Sequence, residues 1–309
     1  MRIDTAVPVS RWILLTGTVF LLSASLLYVA VLPYLGRSDS ARDFTAVTGD
    51  AERGAYVVRT AGCIACHSDV AKTGGTFAGG SALKTPFGSF YGPNITPDKK
   101  HGIGNWSLAQ FSRALTDGLS PEGEHYFPSF PYTSYTKLTA QDIADLKAYL
   151  DGIEPVARPN RPHDLAWPFS DRKLLGAWKV LYFIAGGFQP DPARSQTWNR
   201  GAYLVRAAGH CAECHTERNF LGGFQGSALA GNRHGPDGIA VPAIDALYDH
   251  PRQPWSREDL ILSLQTGLLP DGDTFDGAMG EVVEHGTSHM TDDDITAIAD
   301  YLFSGEQRE

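Results

Sequence analysis

Arg53-Gly-Ala-Tyr-Val-Val-Arg-Thr-Ala-Gly-Cys63-Ile-Ala-Cys66-His67 returns as Arg200-Gly-Ala-Tyr-Leu-Val-Arg-Ala-Ala-Gly-His-Cys211-Ala-Glu-Cys214-His215, so one segment is written twice. The likeness runs on at an offset of 149: Pro93 answers Pro242, Ile95 answers Ile244, Trp106-Ser107 answers Trp255-Ser256, and Gly118 answers Gly267. Such internal repetition is sought before any fold assignment, because it defines the structural unit. Each copy closes on a Thr-x-x-Asp pattern, Thr139 to Asp142 and Thr291 to Asp294, ahead of an i, i+3, i+4, i+7 apolar stripe, which predicts a capped amphipathic helix. Each unit therefore reads as a short helix entering the cysteine pair, a Gly-rich loop (74–80 and 222–226), a middle helix near 107–117 or 256–266, and a closing helix. Alternating apolar runs are scarce, so the fold class expected is all-α.

The remaining chain frames the two units. Its 309 residues and ordinary proportions of hydrophobic and charged residues suit about two domains of globular protein. The net charge of −9 argues against nucleic acid, whose phosphates need a basic face. Trp12 to Gly36 carries no charge, and 25 helical residues would reach about 37 Å against a hydrocarbon core of about 30 Å. The run is longer than a signal-peptide core and ends without a small-x-small cleavage site, which favours a retained anchor. Trp12 and Tyr34 stand near its ends, where amphipathic aromatics favour the headgroup level. The expected organisation is an anchor at 1–36, a linker at 37–49, a first domain at 50–152, a Pro-rich linker at 153–198 and a second domain at 199–309. Within the Pro-rich linker, Lys173 to Ile184 reads as a short apolar helix, expected to pack between the units rather than lie on a membrane.

Cys-x-x-Cys-His is the attachment signature of c-type haem: two thiols on one helical turn each add to a vinyl group of one porphyrin, and the adjacent histidine reaches the iron. A redox dithiol would be expected once, beside a βαβ pattern. Structural zinc would want a fourth ligand in each unit. The motif occurs twice, at matched places, and uses all four cysteines, so two covalent haems are expected on Cys63, Cys66, Cys211 and Cys214, with His67 and His215 as axial ligands. A ligating histidine needs its other ring nitrogen held, and the backbone carbonyls of Pro93 and Pro242 are the candidate acceptors. Arg53, Arg200, Trp106 and Trp255 are candidates for propionate contacts or for ordinary packing.

The sixth ligand separates the units. Methionine opposite histidine is the usual electron-transfer pairing. Of Met1, Met279 and Met290, Met290 reads as a core position, and Met279 lies in a stretch without apolar periodicity, so Met279 is the ligand expected. The same position in the first unit holds Phe130, which cannot bind iron. The first haem is then five-coordinate or takes a nitrogen ligand such as His125, with His101 and Lys84 as weaker candidates. His210, just before Cys211, reads as solvent-facing.

Gly62-Cys-Ile-Ala-Cys-His67, Phe77-Ala-Gly-Gly80, Leu83-Lys-Thr-Pro-Phe-Gly88, Pro93-Asn-Ile-Thr-Pro-Asp98, Gly102-Ile-Gly-Asn-Trp-Ser107 and Phe130-Pro-Tyr-Thr-Ser-Tyr-Thr-Lys-Leu138 resemble the cytochrome c subunits of membrane-bound alcohol and gluconate dehydrogenases and those that accompany molybdenum hydroxylases. The resemblance covers about residues 50–304. It implies two tandem class-I-like cytochrome c domains facing the bacterial periplasm; such subunits are commonly anchored at the other end, whereas the single span expected here, in the inner membrane, is N-terminal. It further implies electrons passed from a dehydrogenase partner toward a quinone-linked complex or terminal oxidase. Those subunits typically carry three haems and many have methionine where Phe130 stands here. No dinucleotide fingerprint or P-loop occurs, so the chain is expected to be an electron-transfer subunit and not an enzyme. The alternative expectation is a peroxidase-like or thiosulfate-oxidising haem enzyme at an open first haem.

Overall fold

A computed structural model describes residues 9–38, 42–69, 75–245, 247 and 254–305. The first eight residues assigned to the anchor, residues 39–41 of the first linker, Gly74 of the first Gly-rich loop, and 246, 248–253 and 306–309 of the second unit lie outside them. The chain opens with α1 (Val9–Leu26), extended by a π-helical turn (Leu27–Val31) and a 3₁₀ turn (Leu32–Tyr34). The stretch Trp12–Tyr34 is exposed to its surroundings, and by length and composition it is long and apolar enough to cross a bilayer.

The first repeat follows as α2 (Ala51–Thr60), α3 (Cys63–His67), the hairpin β1 (Ala82–Thr85) and β2 (Gly88–Tyr91), α4 (Leu108–Asp117), α5 (Tyr132–Tyr135) and α6 (Ala140–Gly152). A connector carries β3 (Asp164–Leu165) and α7 (Leu175–Tyr182). The second repeat holds α8 (Gln196–Tyr203), a π-helical turn (Leu204–Ala208), α9 (Ala212–His215), α10 (Arg257–Thr266), α11 (Gly277–His285) and α12 (Asp292–Phe303). Local chemistry sets the boundaries. Ser107 and Ser256 form capping boxes with Gln110 and Asp259, Thr139 and Thr291 cap α6 and α12, and Gly118 and Gly267 end α4 and α10 in left-handed conformation.

The protein is mainly helical, with one departure from the all-α expectation. β1, β2 and β3 form a small antiparallel sheet in that order, Thr85 pairing Gly88 and Ser89 pairing Asp164. Pro86 and Phe87 make the two-residue turn, and the connector supplies the third strand, a pairing too short and too distant in sequence to announce itself as periodicity.

Each repeat is closed by crossing its first helix on its last, α2 on α6 and α8 on α12. The crossings are backbone-close. A Cβ on Gly54 would lie 2.0 Å from the Asp145 carbonyl oxygen, and one on Gly201 would lie 1.9 Å from that of Ala297. The preceding arginines clamp the same crossings. Arg53 donates to Asp145 through Nε (2.7 Å) and Nη2 (2.9 Å), and Arg200 to Asp294 through Nε and Nη2, both 2.7 Å. Burial alone would raise both carboxyls, but the guanidinium bonds together with those from the Asp50 N–H and Gln141 to Asp145, and from Tyr56 to Asp294, hold them below the ordinary carboxylate range. The arginines thus serve helix closure. Trp106 packs against the first core and Trp255 against the second.

The first core gathers Val58, Phe111, Leu115, Ile143, Leu146 and Leu150, and the second Leu204, Val205, Leu260, Ile295, Ile298 and Leu302. Full burial of each such side chain contributes roughly 1.5–3 kcal/mol. The cores interlock, because Tyr203, Ala207 and Ala208 of the second repeat are part of the first cluster. Two tyrosines at matched positions cross over. Tyr56 donates to Asp294 (2.6 Å) and accepts from the Thr291 N–H (3.2 Å); Tyr203 donates to Asp142 and accepts from the Thr139 N–H (3.2 Å). Each repeat therefore completes the N-terminal cap of the other's closing helix.

Helix propensity alone favours alanine over glycine by about 1 kcal/mol. Gly54→Ala should nonetheless destabilise by about 1–3 kcal/mol, because the added methyl meets a carbonyl that cannot rotate away. Gly152→Ala, with open space around the added carbon, should be neutral or slightly stabilising. Urea melts of the two variants check this, and a Gly54→Ala protein as stable as its parent would contradict the crossing's role.

Candidate functional site

Gly62, at φ 62°, turns the chain out of α2 so that α3 starts afresh at Cys63. Cys63 and Cys66, three apart on one turn, fall on the same face. The loop after the turn grips its end. The Gly79 N–H donates to the His67 carbonyl (2.9 Å), and Gly80 and Gly92 lie so close that a Cβ on them would be 1.9 and 1.8 Å from the Cys66 oxygen. The second repeat rebuilds this, with the Gly231 N–H on the His215 carbonyl (2.8 Å). Beneath each turn a non-glycine residue is left-handed, Phe77 at φ 64° and Leu229 at φ 65°. Their N–H groups bond Ser68 Oγ and Thr216 Oγ1 (both 3.0 Å), and their carbonyls accept from Ile95 and Ile244 (both 2.8 Å).

The histidines meet the acceptors expected of them. His67 Nδ1 lies 2.7 Å from the Pro93 carbonyl and His215 Nδ1 2.8 Å from that of Pro242. A carbonyl can only accept, so Nδ1 carries the proton and Nε2 presents a free lone pair, the form in which imidazole binds a metal. Burial lowers both histidine pKa values, against the opposing pull of the carbonyl bonds, which keeps the rings neutral. Cys63, Cys66, Cys211 and Cys214 are unpaired thiols, and burial pushes Cys63 and Cys211 up to about 12 and Cys214 to about 11. Two neutral thiols on one turn beside a tautomer-locked imidazole suit a covalently attached porphyrin whose iron takes Nε2.

The second motif lies one residue further from its tyrosine than the first: seven positions separate Tyr56 from Cys63, eight separate Tyr203 from Cys211. The π-helical turn Leu204–Ala208 absorbs the extra residue, since i→i+5 bonding accommodates an insertion without ending the helix. The left-handed position before the cysteine then falls to His210 at φ 42°. His210 is not the solvent-facing residue its sequence position suggests. Its ring stands 5.5 Å edge-on from Tyr135, and its Nε2 is the nearest atom to a Cβ that Gly62 would carry, at 3.2 Å. Tyr135 donates to the Ala61 carbonyl (2.5 Å), while Glu213, inside the second motif, accepts from Thr133 (2.5 Å) and Ser134 (2.7 Å). The two turns are thus back to back, with α5 and His210 as filling. The unequal spacing was the signal in the sequence.

Met279, the third residue of α11, is partly buried against the second core, as are Cys211, Ala212 and Trp255. Its counterpart Phe130 packs against the first core beside Cys63 and Ile64, within an aromatic group of Tyr126, Tyr132 and Tyr135. His125 is placed elsewhere. It is buried with Nε2 donating to the Pro33 carbonyl (3.1 Å), Gly176 packed against it, and Nδ1 without a partner among the described residues. Lys84 is exposed on β1, and His101 follows Asp98, whose carboxylate accepts its backbone N–H (2.6 Å). Of these three, His125 has its Nε2 engaged by Pro33.

A helical unit that presents two thiols and a proline-anchored histidine on one turn is built as a c-type cytochrome. Comparison with known proteins agrees: residues 51–154 match the cytochrome c family. The chain is 42% identical over 268 residues to a dihaem c-type cytochrome of Cereibacter sphaeroides, covering 84% of this chain and 87% of that protein. It is 38% identical to the cytochrome c subunit of the quinone-dependent alcohol dehydrogenase of Gluconacetobacter polyoxogenes, covering 82% of this chain and 55% of that one. It is also 42% identical to a polypeptide of the nicotinate dehydrogenase of Pseudomonas putida, covering 82% of this chain but 21% of that one. This chain thus spans about half the length of the cytochrome from the alcohol dehydrogenase. The chain belongs to the cytochrome c family, with covalently bound haem c as cofactor. It is an electron-transfer protein, as its cytochrome relatives are.

The His125 assignment can be tested by pH. Burial first, then the nearby Lys179 charge, lowers its pKa from 6.5 to about 4. Between those values the unfolded chain binds a proton that the folded chain refuses, so stability falls as pH drops through the window, by at most about 3 kcal/mol. His125→Gln keeps a donor for Pro33 and cannot titrate. Melting temperatures of parent and variant should diverge between pH 6.5 and 4, the parent losing more; parallel curves would contradict the assignment.

Proposed function

We propose that this chain carries two covalent haems, one on Cys63 and Cys66 with His67 as axial ligand, the other on Cys211 and Cys214 with His215, in two tandem cytochrome c domains at 50–152 and 199–309. The observation that carries the reading is the matched pair of turns, each with its histidine Nδ1 on a proline carbonyl. When bound, each haem supplies a one-electron iron couple. The chain's own residues hold each imidazole in the ligating tautomer and set the two turns against each other through His210, Tyr135 and Glu213.

Met279 is assigned as the sixth ligand of the second haem, from its place in the second repeat and its packing against that repeat's core, and a thioether there raises the potential. Phe130 leaves the first site without a ligand at the corresponding position, and His125 is assigned to the joint below α1, because Pro33 engages its Nε2. The two haems are thereby unequal. The N-terminal run is read as a single span that holds both domains at the periplasmic face of the inner membrane. Electrons enter from a dehydrogenase and leave toward a quinone-linked complex or terminal oxidase; the support is the likeness to cytochrome subunits named for alcohol, fructose and gluconate dehydrogenases.

The haem count and ligands are tested together. Mass spectrometry of the purified protein should find two covalent haems, and Cys63→Ser with Cys66→Ser should leave one. In a redox titration, Met279→Ala should lower one midpoint potential and leave the other within error. One haem in the parent, or two shifted midpoints in Met279→Ala, would overturn the assignment.

A further inference from the structure

We propose that the outer face of α7 is a membrane-docking surface that lies in the headgroup boundary of the same bilayer α1 crosses; the proposal rests on the reading of α1 as a span. Three observations place it there. First, α7 and the turn before it are fixed to the end of the apolar run. Tyr28 donates to Asp171, the Lys173 ammonium stands 4.7 Å from the Tyr28 ring centroid, and Gly176 is so close that a Cβ would lie 2.3 Å from the Leu32 carbonyl and 2.8 Å from that of Leu35. Residues 28–35 occupy about 10 Å of helix, so α7 is held at the depth where the span would leave the hydrocarbon.

Second, the other sides of α7 are already used. Leu175, Gly176 and Lys179 are buried, with Lys179 Nζ donating to the carbonyls of Asp117 (2.5 Å) and Gly118 (2.8 Å) at the end of α4. Trp178 donates to the Leu221 carbonyl (2.9 Å), and Tyr182 backs onto Gly223. Third, the remaining arc is apolar and bare: Val180 is 62% exposed, Leu181 67% and Ile184 90%. At 100° per residue Ala177, Val180 and Leu181 share a face opposite Leu175 and Lys179, with Ile184 just past the end of the helix and Lys173 in the 3₁₀ turn before it. Just upstream Trp167 is 81% exposed. Bare aliphatics flanked by a lysine and a tryptophan, fixed beside the end of a span, have the composition of an interfacial helix that sinks about 5–10 Å into the lipid boundary.

Nitroxide accessibility decides it. The full haem-loaded chain is reconstituted in phosphatidylethanolamine–phosphatidylglycerol vesicles after spin labelling of Val180→Cys, Leu181→Cys and Ile184→Cys singly. Leu22→Cys marks the span and Glu154→Cys the water, and the unsubstituted chain serves as labelling blank. The expected result is oxygen-to-nickel-chelate accessibility for all three several-fold above Glu154→Cys and below Leu22→Cys. Values equal to Glu154→Cys, with Leu22→Cys in hydrocarbon, overturn the docking face and leave the span standing. Aqueous values at Leu22→Cys overturn both. Shielding of the three sites from both reagents indicates a protein partner on α7, which overturns the lipid assignment.

Discussion

A carbonyl oxygen standing where a β-carbon would otherwise be is the constraint from which the architecture follows. At Gly54 and Gly201 the first helix of each repeat lies directly on the backbone of the last, and no other residue type could make that approach. The crossing fixes the direction in which α2 and α8 leave, and therefore where each cysteine pair begins. It also sets Arg53 and Arg200 in reach of Asp145 and Asp294, so that a half-exposed ion pair, ordinarily worth little, is held in bidentate geometry on a scaffold that cannot slide.

The second consequence is the exchange between repeats. Tyr56 and Tyr203 each sit two residues beyond the crossing glycine, on a helix whose position the crossing dictates, and each reaches the cap of the other repeat's closing helix. The result is nearly symmetric, and the departures from symmetry are informative. The residue inserted before Cys211 is taken up as a π-helical turn, leaving the core register of α8 intact while moving His210 into the gap beside Gly62. Had the insertion occurred in a loop, it would have been lost to solvent; placed in the π-helical turn just after Gly201 holds α8 on α12, it alters only the junction between the two turns.

What the sequence made legible was local. Ser107, Thr139, Ser256 and Thr291 announce their helices because caps are satisfied within three residues. The Cys-x-x-Cys-His turns and their proline acceptors were legible because the repeat supplied two copies of each. His125 was misleading for the opposite reason. Five positions from Phe130 is close along the chain, but Leu119 pairs with His125 across a tight turn, and that pairing aims the ring at Pro33. Arg53 and Arg200 could be seen to recur, but their aspartate partners are about 90 residues away, so propionate contacts and packing could not be told apart. Likewise β3, at residues 164–165, has no pattern of its own and exists only because Gly88 and Ser89 offer a free edge.

The joint below α1 shows how basic groups can be seated on backbone oxygens in an acidic protein. Arg37 donates to the Gly123 carbonyl, Arg42 to that of Thr136, Arg172 to that of His125, and Lys179 to those of Asp117 and Gly118. Backbone oxygens at turns and at the end of α4 carry partial negative charge and cannot be protonated, so these contacts do not dissolve on acidification as carboxylate pairs do. The weak members are the groups whose own charge burial disfavours, Lys179 at about 7 and His125 at about 4. Their neutral forms are the ones that dry packing favours, which makes the joint tightest where both can shed protons. A helix docked in this way is fixed to the first repeat through Pro33 and Arg37, to α7 through Gly36, and by way of Trp178 of α7 to the second repeat. α1 is consequently tied to both repeats through the residues that follow it, and not through its own exposed face.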